Sequence, residues 1–467
     1  MTRWLKARWF SFLGRQRLRS HQVSLALENF RKAAELEPDN LHTAIEIGWC
    51  LYKLKDYQAA IDKYERALQQ RPDYASAHAC LALALAEVQR PQEAVEEVRR
   101  GLRINPKIKD RAFWEHNLGT WLIQLDRWEE AVKPLCNAIE LKSHEASTHY
   151  WLGIAYSQLK RHAEAITEFQ EALRTCPNEP DSLFGLGVSL AEMGQFDEAA
   201  DAYKQVVQLR PENADAYFNL GVANGELGRH DEEIHAYTKA TELNPKDFTI
   251  WVNLALAYSS CKKHELAIET WGQVIQLQPD SVQTLTSRML DYERLGRYKE
   301  ALDDANKVLR LAPNAAESYG NIGVFLNRLG DYENALRAAR DAMRLNPNYP
   351  DAHCVAGYAL QGLENHKAAI PEYQKAIQLK PDYVEALVDL GNAYLELDQG
   401  EQAVAPLKRA ADLMPECLQA HDFLGVAYLK SGDPQSAAEQ LQILKGLDPA
   451  FESSLSKLLS TEKASGR

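Results

Sequence analysis

The segment HEASTH at residues 144–149 is the nearest approach to catalytic metal chemistry in this chain of 467 residues. Zinc hydrolases with an HExxH motif bind the metal through the two histidines and use the glutamate as general base. In this sequence His144 and His149 are five residues apart, one more than that motif allows. We therefore interpret both as incidental surface histidines rather than as metal ligands.

Other catalytic chemistry finds no support in the residue pattern. The chain has no GxxxxGKS/T, GxSxG or HExxH pattern and no GxGxxG that follows a strand. Its seven cysteines are scattered and never form a CxxC pair. They are typical of small core residues in a reducing compartment rather than of a disulfide framework or a zinc site. We expect no catalytic residue, no cofactor and no metal, and hence no enzyme.

The composition is that of a folded, acidic protein. Apolar residues make up 45% of the chain and charged residues 25%, and the formal net charge is −13. We expect no nucleic-acid partner, because the phosphate backbone requires a basic surface. The sequence has no apolar run of about 18 residues, the length that a transmembrane helix needs. A cytoplasmic location is the expectation.

Residues 1–22 differ from the rest of the chain because they are basic and aromatic. They contain six lysine and arginine residues, no acidic residue, and the aromatic residues Trp4, Trp9, Phe10 and Phe12. This pattern is typical of a transit peptide or of a helix on a membrane surface. The repeat described next includes most of this segment, and that favours a basic N-terminal cap.

Prolines recur along the chain at intervals of 34 residues. They are Pro38, Pro72, Pro106, Pro177, Pro211, Pro245, Pro279, Pro313, Pro347, Pro381, Pro415 and Pro449. In the one irregular interval, Ser143 replaces a proline and three residues are added. A period of this length predicts tandem helix pairs. The thirteen repeats are residues 7–40, 41–74, 75–108, 112–145 and one every 34 residues from 146 to 451.

Small residues predict where the two helices of a repeat cross. Position 8 is glycine or alanine in twelve repeats, and position 20 is alanine in twelve. Helices approach closely only where both present small side chains. The proline at position 32 ends the second helix, and glycine at position 15 of several repeats favours a left-handed turn. Four departures put local packing in doubt: Glu233, Met289, Ala305 and Ala339.

On these motifs the chain resembles the tetratricopeptide repeat family over residues 7–451. The resemblance implies an all-α fold, an α-solenoid superhelix of thirteen helix-turn-helix repeats. A stripe of Leu455, Leu458 and Leu459 predicts a short C-terminal capping helix. The expected divisions are a basic extension at 1–6, repeats 1–3 at 7–108, an insertion and hinge at 109–111, repeats 4–13 at 112–451, and the capping helix and tail at 452–467.

The family architecture implies a concave surface formed by positions 2, 5, 6, 9, 12 and 13 of each first helix. Large aromatic residues and one histidine fall at these positions: Trp49, Tyr52, Phe113, His116, Tyr150 and Trp151. Aromatic residues are frequent anchors of protein interfaces. We predict that they bind a partner protein or an extended peptide. The alternative is that aromatic residues at position 5 pack between repeats.

Asparagine occupies position 6 of four repeats, as Asn117, Asn219, Asn253 and Asn321. A row of amides can pair with the backbone of an extended peptide. This resembles the asparagine ladder in the repeat domain of O-linked N-acetylglucosamine transferases, although other residues, such as Asp389, interrupt it. Chaperone-binding members of the family grip a C-terminal carboxylate with lysine at position 5. That position is never lysine here, so we expect no such clamp.

Three functions follow from these patterns. The first is a scaffold or adaptor that binds a peptide or partner protein in the concave groove. The second is a peripheral membrane assembly factor that uses residues 1–22. The third is a non-catalytic substrate receptor for a separate glycosyltransferase, and it rests on the interrupted asparagine row.

Overall fold

The computed structural model describes residues 2–141, 145–451 and 453–464 of the chain. These residues form 27 α-helices and no β-strand. The chain divides into an N-terminal unit, Met1–Asn244, and a C-terminal unit, Pro245–Arg467. Each unit consists of antiparallel helix pairs in tandem, and this confirms the all-α solenoid fold.

The odd-numbered helices are the first helices of the repeats, and the even-numbered helices are the second. The N-terminal unit contains α1 Arg3–Arg19, α2 Val23–Leu36, α3 Leu41–Lys53, α4 Tyr57–Gln70, α5 Ala75–Glu87, α6 Pro91–Ile104, α7 Arg111–Gln124, α8 Trp128–Glu140, α9 Ala146–Gln158, α10 His162–Thr175, α11 Pro180–Glu192, α12 Phe196–Leu209, α13 Ala214–Glu226 and α14 His230–Leu243. The C-terminal unit contains α15 Phe248–Ser260, α16 His264–Leu277, α17 Val282–Arg294, α18 Tyr298–Leu311, α19 Ala316–Arg328, α20 Tyr332–Leu345, α21 Pro350–Gly362, α22 His366–Leu379, α23 Val384–Glu396, α24 Gly400–Leu413, α25 Leu418–Lys430, α26 Pro434–Leu447 and α27 Ser454–Ala464.

The helix bounds follow the register of the prolines. Helix α3 begins at Leu41 and α5 at Ala75, which are the first residues of the second and third repeats. Helix α12 ends at Leu209, two residues before Pro211. Where a proline follows, it stops the second helix because it lacks a backbone N–H and restricts the residue before it.

The N-terminal extension predicted for residues 1–6 is not a separate element. Helix α1 begins at Arg3 and runs without a break through residue 7 into the first repeat. Thr2 is its N-cap, and its hydroxyl accepts a hydrogen bond from the backbone N–H of Leu5. The basic segment is therefore part of the first helix.

The insertion at residues 109–111 forms a short turn in which Asp110 has a φ of 58°. One buried apolar cluster extends from Ala26 to Phe169 and has members on both sides of this turn. The hinge stays a prediction, and the boundary between the two compact units lies elsewhere, after Asn244.

Position 15 has left-handed backbone geometry in every repeat. Glycine occupies it five times, with φ between 67° and 83°, and other residues occupy it eight times, with φ between 56° and 63°. The glycines are Gly194, Gly228, Gly296, Gly330 and Gly432, and the others are His21, Lys55, Gln89, Asp126, Lys160, Lys262, Glu364 and Asp398. This geometry costs a non-glycine residue about 1–2 kcal/mol. Packing of the two helices therefore imposes the turn even where glycine is absent.

The glycines at position 8 allow the two helices of a repeat to cross closely. A Cβ atom on Gly14 would lie 2.6 Å from the ring of Phe30, and one on Gly221 would lie 2.6 Å from the ring of Tyr237. Other pairs of this kind are Gly48–Tyr64, Gly119–Leu135, Gly153–Phe169, Gly187–Tyr203, Gly357–Tyr373 and Gly391–Leu407. In each pair the large side chain at position 24 fills the space that the absent Cβ leaves.

The departures from the repeat pattern compensate one another. In the ninth repeat Met289 at position 8 faces Ala305 at position 24, so the large and small residues are exchanged, and both are buried in one cluster. In the seventh repeat Gly225 makes room for Glu233, whose carboxylate also pairs with His230 at 3.0 Å. Local packing is therefore preserved.

The small Ala339 at position 24 of the tenth repeat is compensated by the next repeat. A Cβ atom on Gly323 would lie 2.6 Å from a methyl group of Val355, and Val355 clusters with Ala339. A Cβ on Gly320 would lie 2.9 Å from the ring of Tyr349. These small residues let α19 and α21 pack directly against each other.

Helix α27 packs against the last hairpin, as predicted. Leu455 is fully buried, and the Asp422 carboxylate accepts hydrogen bonds from the Ser453 hydroxyl at 2.6 Å and the Leu455 N–H at 3.0 Å. Leu459 is half-buried, but Leu458 is 41% exposed. Of the predicted stripe, Leu455 and Leu459 pack in the cluster of the last repeats, whereas Leu458 is exposed.

The exchange of Met289 and Ala305 predicts strong non-additivity. Met289→Gly should cost about 2–4 kcal/mol because it leaves a cavity, and Ala305→Tyr should cost about 1–3 kcal/mol because it overpacks the crossing. The double variant restores the usual glycine–tyrosine pair. It should lose less stability than the two single variants lose together. Hydrogen exchange of the α17 and α18 amides in the full chain measures each loss. Additive losses would contradict the compensation.

Candidate partner-binding surfaces

The odd-numbered helices form the inner layer of each unit. Neighbouring odd helices contact each other along most of each unit; for example, α3 contacts α5, and α19 contacts α21. Successive even helices make few contacts among the described residues. The odd helices carry every position that was predicted for the concave surface. All ten predicted partner-binding residues belong to odd helices.

Trp49 and Tyr52 form an aromatic pair on α3. Their rings stack with centroids 5.4 Å apart and an interplanar angle of 18°, and the Lys53 ammonium lies 4.7 Å from the Trp49 ring. The Tyr52 hydroxyl donates a hydrogen bond of 3.2 Å to Glu87 on α5. Burial and the Glu87 carboxylate raise the pKa of Tyr52 to about 12. Tyr52 thus links two inner helices, while both rings remain half-exposed.

Phe113, His116 and Asn117 lie on α7 and differ in availability. Phe113 is 47% exposed. The His116 ring nitrogen Nδ1 hydrogen-bonds the Thr148 hydroxyl on α9 at 2.9 Å, and burial lowers the pKa of His116. The Asn117 amide donates to the backbone oxygen of Phe113 at 2.7 Å. Phe113 is therefore the residue of this group that is most free to contact a partner.

Tyr150 and Trp151 are adjacent on α9 and form a T-shaped pair with centroids 5.0 Å apart. The Tyr150 ring also lies 6.2 Å from Phe169 on α10, and burial raises the pKa of Tyr150. Both side chains are half-buried. Tyr150 therefore packs within its own repeat and remains partly exposed, and the alternative, that aromatic residues at position 5 pack between repeats, stays a prediction.

The four asparagines of position 6 are not equivalent. Asn117 and Asn219 lie in the N-terminal unit, and Asn253 and Asn321 lie in the C-terminal unit. The Asn253 amide donates to the Thr249 backbone oxygen on its own helix at 2.9 Å, as Asn117 does on α7. Asn219 and Asn321 have no side-chain hydrogen bond in the described part of the chain. Two of the four amides thus have less to offer a peptide than the sequence suggests.

The histidine of HEASTH that the structure describes is a structural residue. His144 lies outside the described residues, but His149 is largely buried and its Nδ1 lies 2.7 Å from the Glu168 carboxylate on α10. The same contact joins His78 to Glu97 and His353 to Glu372, at the same two repeat positions. The interpretation of His149 as an incidental surface residue is therefore wrong. Across the described ranges, no group of three or more histidine, cysteine or acidic side chains could hold a metal.

The C-terminal unit contains an inner groove that the sequence analysis did not identify. Its volume is about 630 Å3, and its walls come from α17, α19, α21, α23 and α25. The lining includes Glu293, Asn327, Arg328, Tyr358, Glu385, Asp389 and Phe423. We call this pocket the acidic groove, because three of these residues are carboxylates and one is a cation. The direct packing of α19 against α21 forms part of its wall.

Asp389 is the unusual residue of the acidic groove. Its side chain is half-buried, and its carboxylate has no hydrogen bond or ion pair within the described residues. Burial raises the pKa of Asp389 to about 7, with the positive charge of Arg328 opposing the rise and the negative charge of Glu385 adding to it. One feature of the sequence could have indicated this site. No lysine or arginine lies three or four residues from Asp389 on its helix, so Asp389 has no ion-pair partner there.

Models of one family match several segments of the chain. A TPR repeat model matches residues 50–89, 189–228 and 363–398, and tetratricopeptide repeat models match residues 146–179, 214–247, 236–269, 288–353 and 388–450. Together these segments cover about two thirds of the chain.

Relatives share parts of this architecture. The DnaJ homolog subfamily C member 7 homolog of Schizosaccharomyces pombe is 30% identical over an alignment of 148 residues, and the match covers 27% of this chain and 30% of that protein. The chain thus spans less than a third of that relative's length.

Two solved structures are also similar to this chain. The APC/C hetero-tetramer Cut9–Hcn1 covers 98% of this chain and 96% of its own at 16% identity and a TM-score of 0.43. A tetratricopeptide repeat protein from Parabacteroides merdae covers 53% of this chain and 98% of its own at 19% identity and a TM-score of 0.41. Neither likeness bears on function. With the helix pairs, the 34-residue register and the family matches in agreement, the chain belongs to the tetratricopeptide repeat family.

Proposed function

We propose that the chain is a non-catalytic scaffold that binds an extended peptide or a partner protein on the inner surface of its N-terminal unit. The supporting observation is that large aromatic side chains of α3, α7 and α9 remain partly exposed on the inner layer, with Phe113 exposed by 47%. Such residues bury much area on binding and lose little side-chain entropy.

The charges around these aromatic residues favour a polypeptide partner. Lys53 lies against the Trp49 ring, and Glu87 lies beside Tyr52, so both signs of charge border the aromatic pair. The His116 ring hydrogen-bonds Thr148 on α9 and so links two neighbouring helices, whereas the Asn117 amide bonds within α7. Apolar anchors with a polar rim are the usual composition of a protein interface.

The aromatic surface can be tested by quantitative capture from native lysate. Full-length protein carrying Trp49→Ala and Trp151→Ala should retain its partner at least about tenfold less well than wild type, because interface anchors contribute about 2 kcal/mol or more each. Leu25→Ala is the matched control, since Leu25 is 45% exposed on the second helix of the first repeat. Equal capture of every protein by all three forms would contradict the proposal.

A second candidate function is attachment to a membrane surface, and helix α1 favours it. Trp4, Trp9 and Phe12 are between 50% and 54% exposed, while Ala7 and Gly14 on the other side are buried. Arginine and lysine residues flank this aromatic face, as is usual for helices that lie in the membrane interface. Among the described helices, none combines the length and apolar character needed to cross a bilayer.

Vesicle flotation decides the second function. The full chain should float with vesicles that contain phosphatidylglycerol and should remain at the bottom with pure phosphatidylcholine, because the basic residues need anionic lipid. Trp4→Ser together with Trp9→Ser should abolish flotation, while Leu25→Ser should not. Binding that is equal for both lipids, or that persists in the tryptophan variant, would exclude this role for α1.

A further inference from the structure

The acidic groove of the C-terminal unit has hydrogen-bond acceptors without donors. Asn327 is only 6% exposed, and its amide nitrogen donates to the Val355 backbone oxygen at 3.0 Å. Its Oδ1 atom is buried and has no hydrogen-bond partner within the described chain. The Asp389 carboxylate, on the neighbouring wall, is also unpaired among those residues. A fully or partly buried acceptor without a donor costs free energy.

The charged groups around Asp389 leave the groove negative. Arg328 approaches from α19, Glu385 lies one turn earlier on the same helix, and Glu293 lines the groove from α17. From α21 the Cys354 thiol and the Tyr358 hydroxyl line the groove, and Asp389 also acts electrostatically on the Tyr373 hydroxyl of α22. The residues of α25 that line the groove are uncharged. A cation is therefore favoured over an anion at this place.

The rest of the lining suits the stem of a long side chain. Val324, Val355 and Val388 form apolar walls, and the aromatic rings of Tyr358 and Phe423 border the same space. Tyr358 is 37% exposed, so its ring is available for contact. Lysine and arginine combine an apolar stem with a cationic head, and arginine offers five N–H donors and stacks on aromatic rings.

Other occupants fit these features less well. A purely apolar side chain would leave the carboxylate of Asp389 buried without a partner, which is costly. A phosphate or carboxylate would meet three negative side chains against one arginine. Asp389, Glu385 and Glu293 do not form a metal-binding group, since none exists within the described residues.

We propose that the acidic groove is a second binding site and that it takes a basic side chain, arginine in preference to lysine, of an extended partner segment, with the cation paired to Asp389. This inference deepens the proposed scaffold function and rests on it, but it concerns other residues than the aromatic surface of the N-terminal unit. The cation supplies the donors that Asp389 lacks, and its stem covers the valine walls.

Capped peptide pools provide the test on the full chain. Four pools differ only at the central residue, which is arginine, lysine, citrulline or glutamate, and their flanking positions are randomised among uncharged residues. Fluorescence anisotropy should show the arginine pool binding at least about tenfold more tightly than the citrulline pool at pH 8, since a hydrogen bond to a charged group is worth about 1.5–3 kcal/mol. Citrulline keeps the shape of arginine and removes its charge.

Two variants identify the residue responsible. Asp389→Asn should abolish the preference for arginine over citrulline, whereas Glu401→Gln, an exposed acid on α24 that loses the same charge, should keep it. In wild type the preference should weaken as the pH falls from 8 to 6, because the carboxyl group with its pKa of about 7 becomes neutral. In Asp389→Asn no such change should occur.

Thermal unfolding measured at several pH values shows whether the variant folds. It also tests the raised pKa of Asp389 independently of peptide binding. The pKa of Asp389 is about 7 in the folded protein and about 4 in the unfolded chain. The folded protein therefore loses stability as the pH rises from about 4 to about 7, because the buried carboxyl group must then give up its proton. Asp389→Asn should therefore unfold at a higher temperature than wild type at pH 8 and at a similar temperature near pH 4.

The outcomes separate this inference from the proposed function. The double variant Trp49→Ala with Trp151→Ala should keep the preference for arginine. The peptide test therefore stays valid even if the aromatic surface proves not to bind a partner. Equal binding of all pools, tightest binding of the glutamate pool, or no binding of any pool by the folded chain would overturn the second site. A preference that Asp389→Asn retains would overturn it as well.

Discussion

The crossing point between the two helices of each repeat is the constraint on which the structure depends. A glycine at position 8 lets a large side chain at position 24 lie against the first helix, as Gly14 does for Phe30. The ninth repeat meets the same requirement with Met289 and Ala305 exchanged. In that repeat the exchange keeps one large and one small residue at the crossing, as close packing in protein interiors demands.

That crossing decides which side chains remain available for binding. Because the second helices lie outside, the first helices form the inner layer of each unit. Some polar groups there are used internally, such as His116 with Thr148 and Tyr52 with Glu87, and they hold neighbouring repeats in place. Asp389 has no partner of this kind within the described residues. An unpaired group on a packed inner surface lowers stability and is a feature of sites prepared for a ligand.

The two units present different chemistry on the same scaffold. The inner surface of the N-terminal unit carries exposed rings with both signs of charge nearby, whereas the acidic groove of the C-terminal unit carries three carboxylates and one guanidinium. Helix α1 adds a basic aromatic face in a chain whose net charge is −13. Repeat proteins can present different surface chemistry on one fold because the residues that pack the helices and the residues that face the solvent occupy different positions. Surface residues can therefore change without altering the packing.

The sequence by itself determined the repeat and its register, because a 34-residue period, the glycine and alanine columns and the prolines are local features that each repeat shows separately. It also indicated Phe113 as an available ring, but not that the Asn117 amide turns to its own helix or that His149 binds Glu168. Only the tertiary structure showed that the acidic groove exists. Its walls come from five helices, and the approach of α19 to α21 depends on Gly320 and Gly323 facing residues of other helices. Such contacts are set by which surfaces meet in space, and no periodicity along the chain records them.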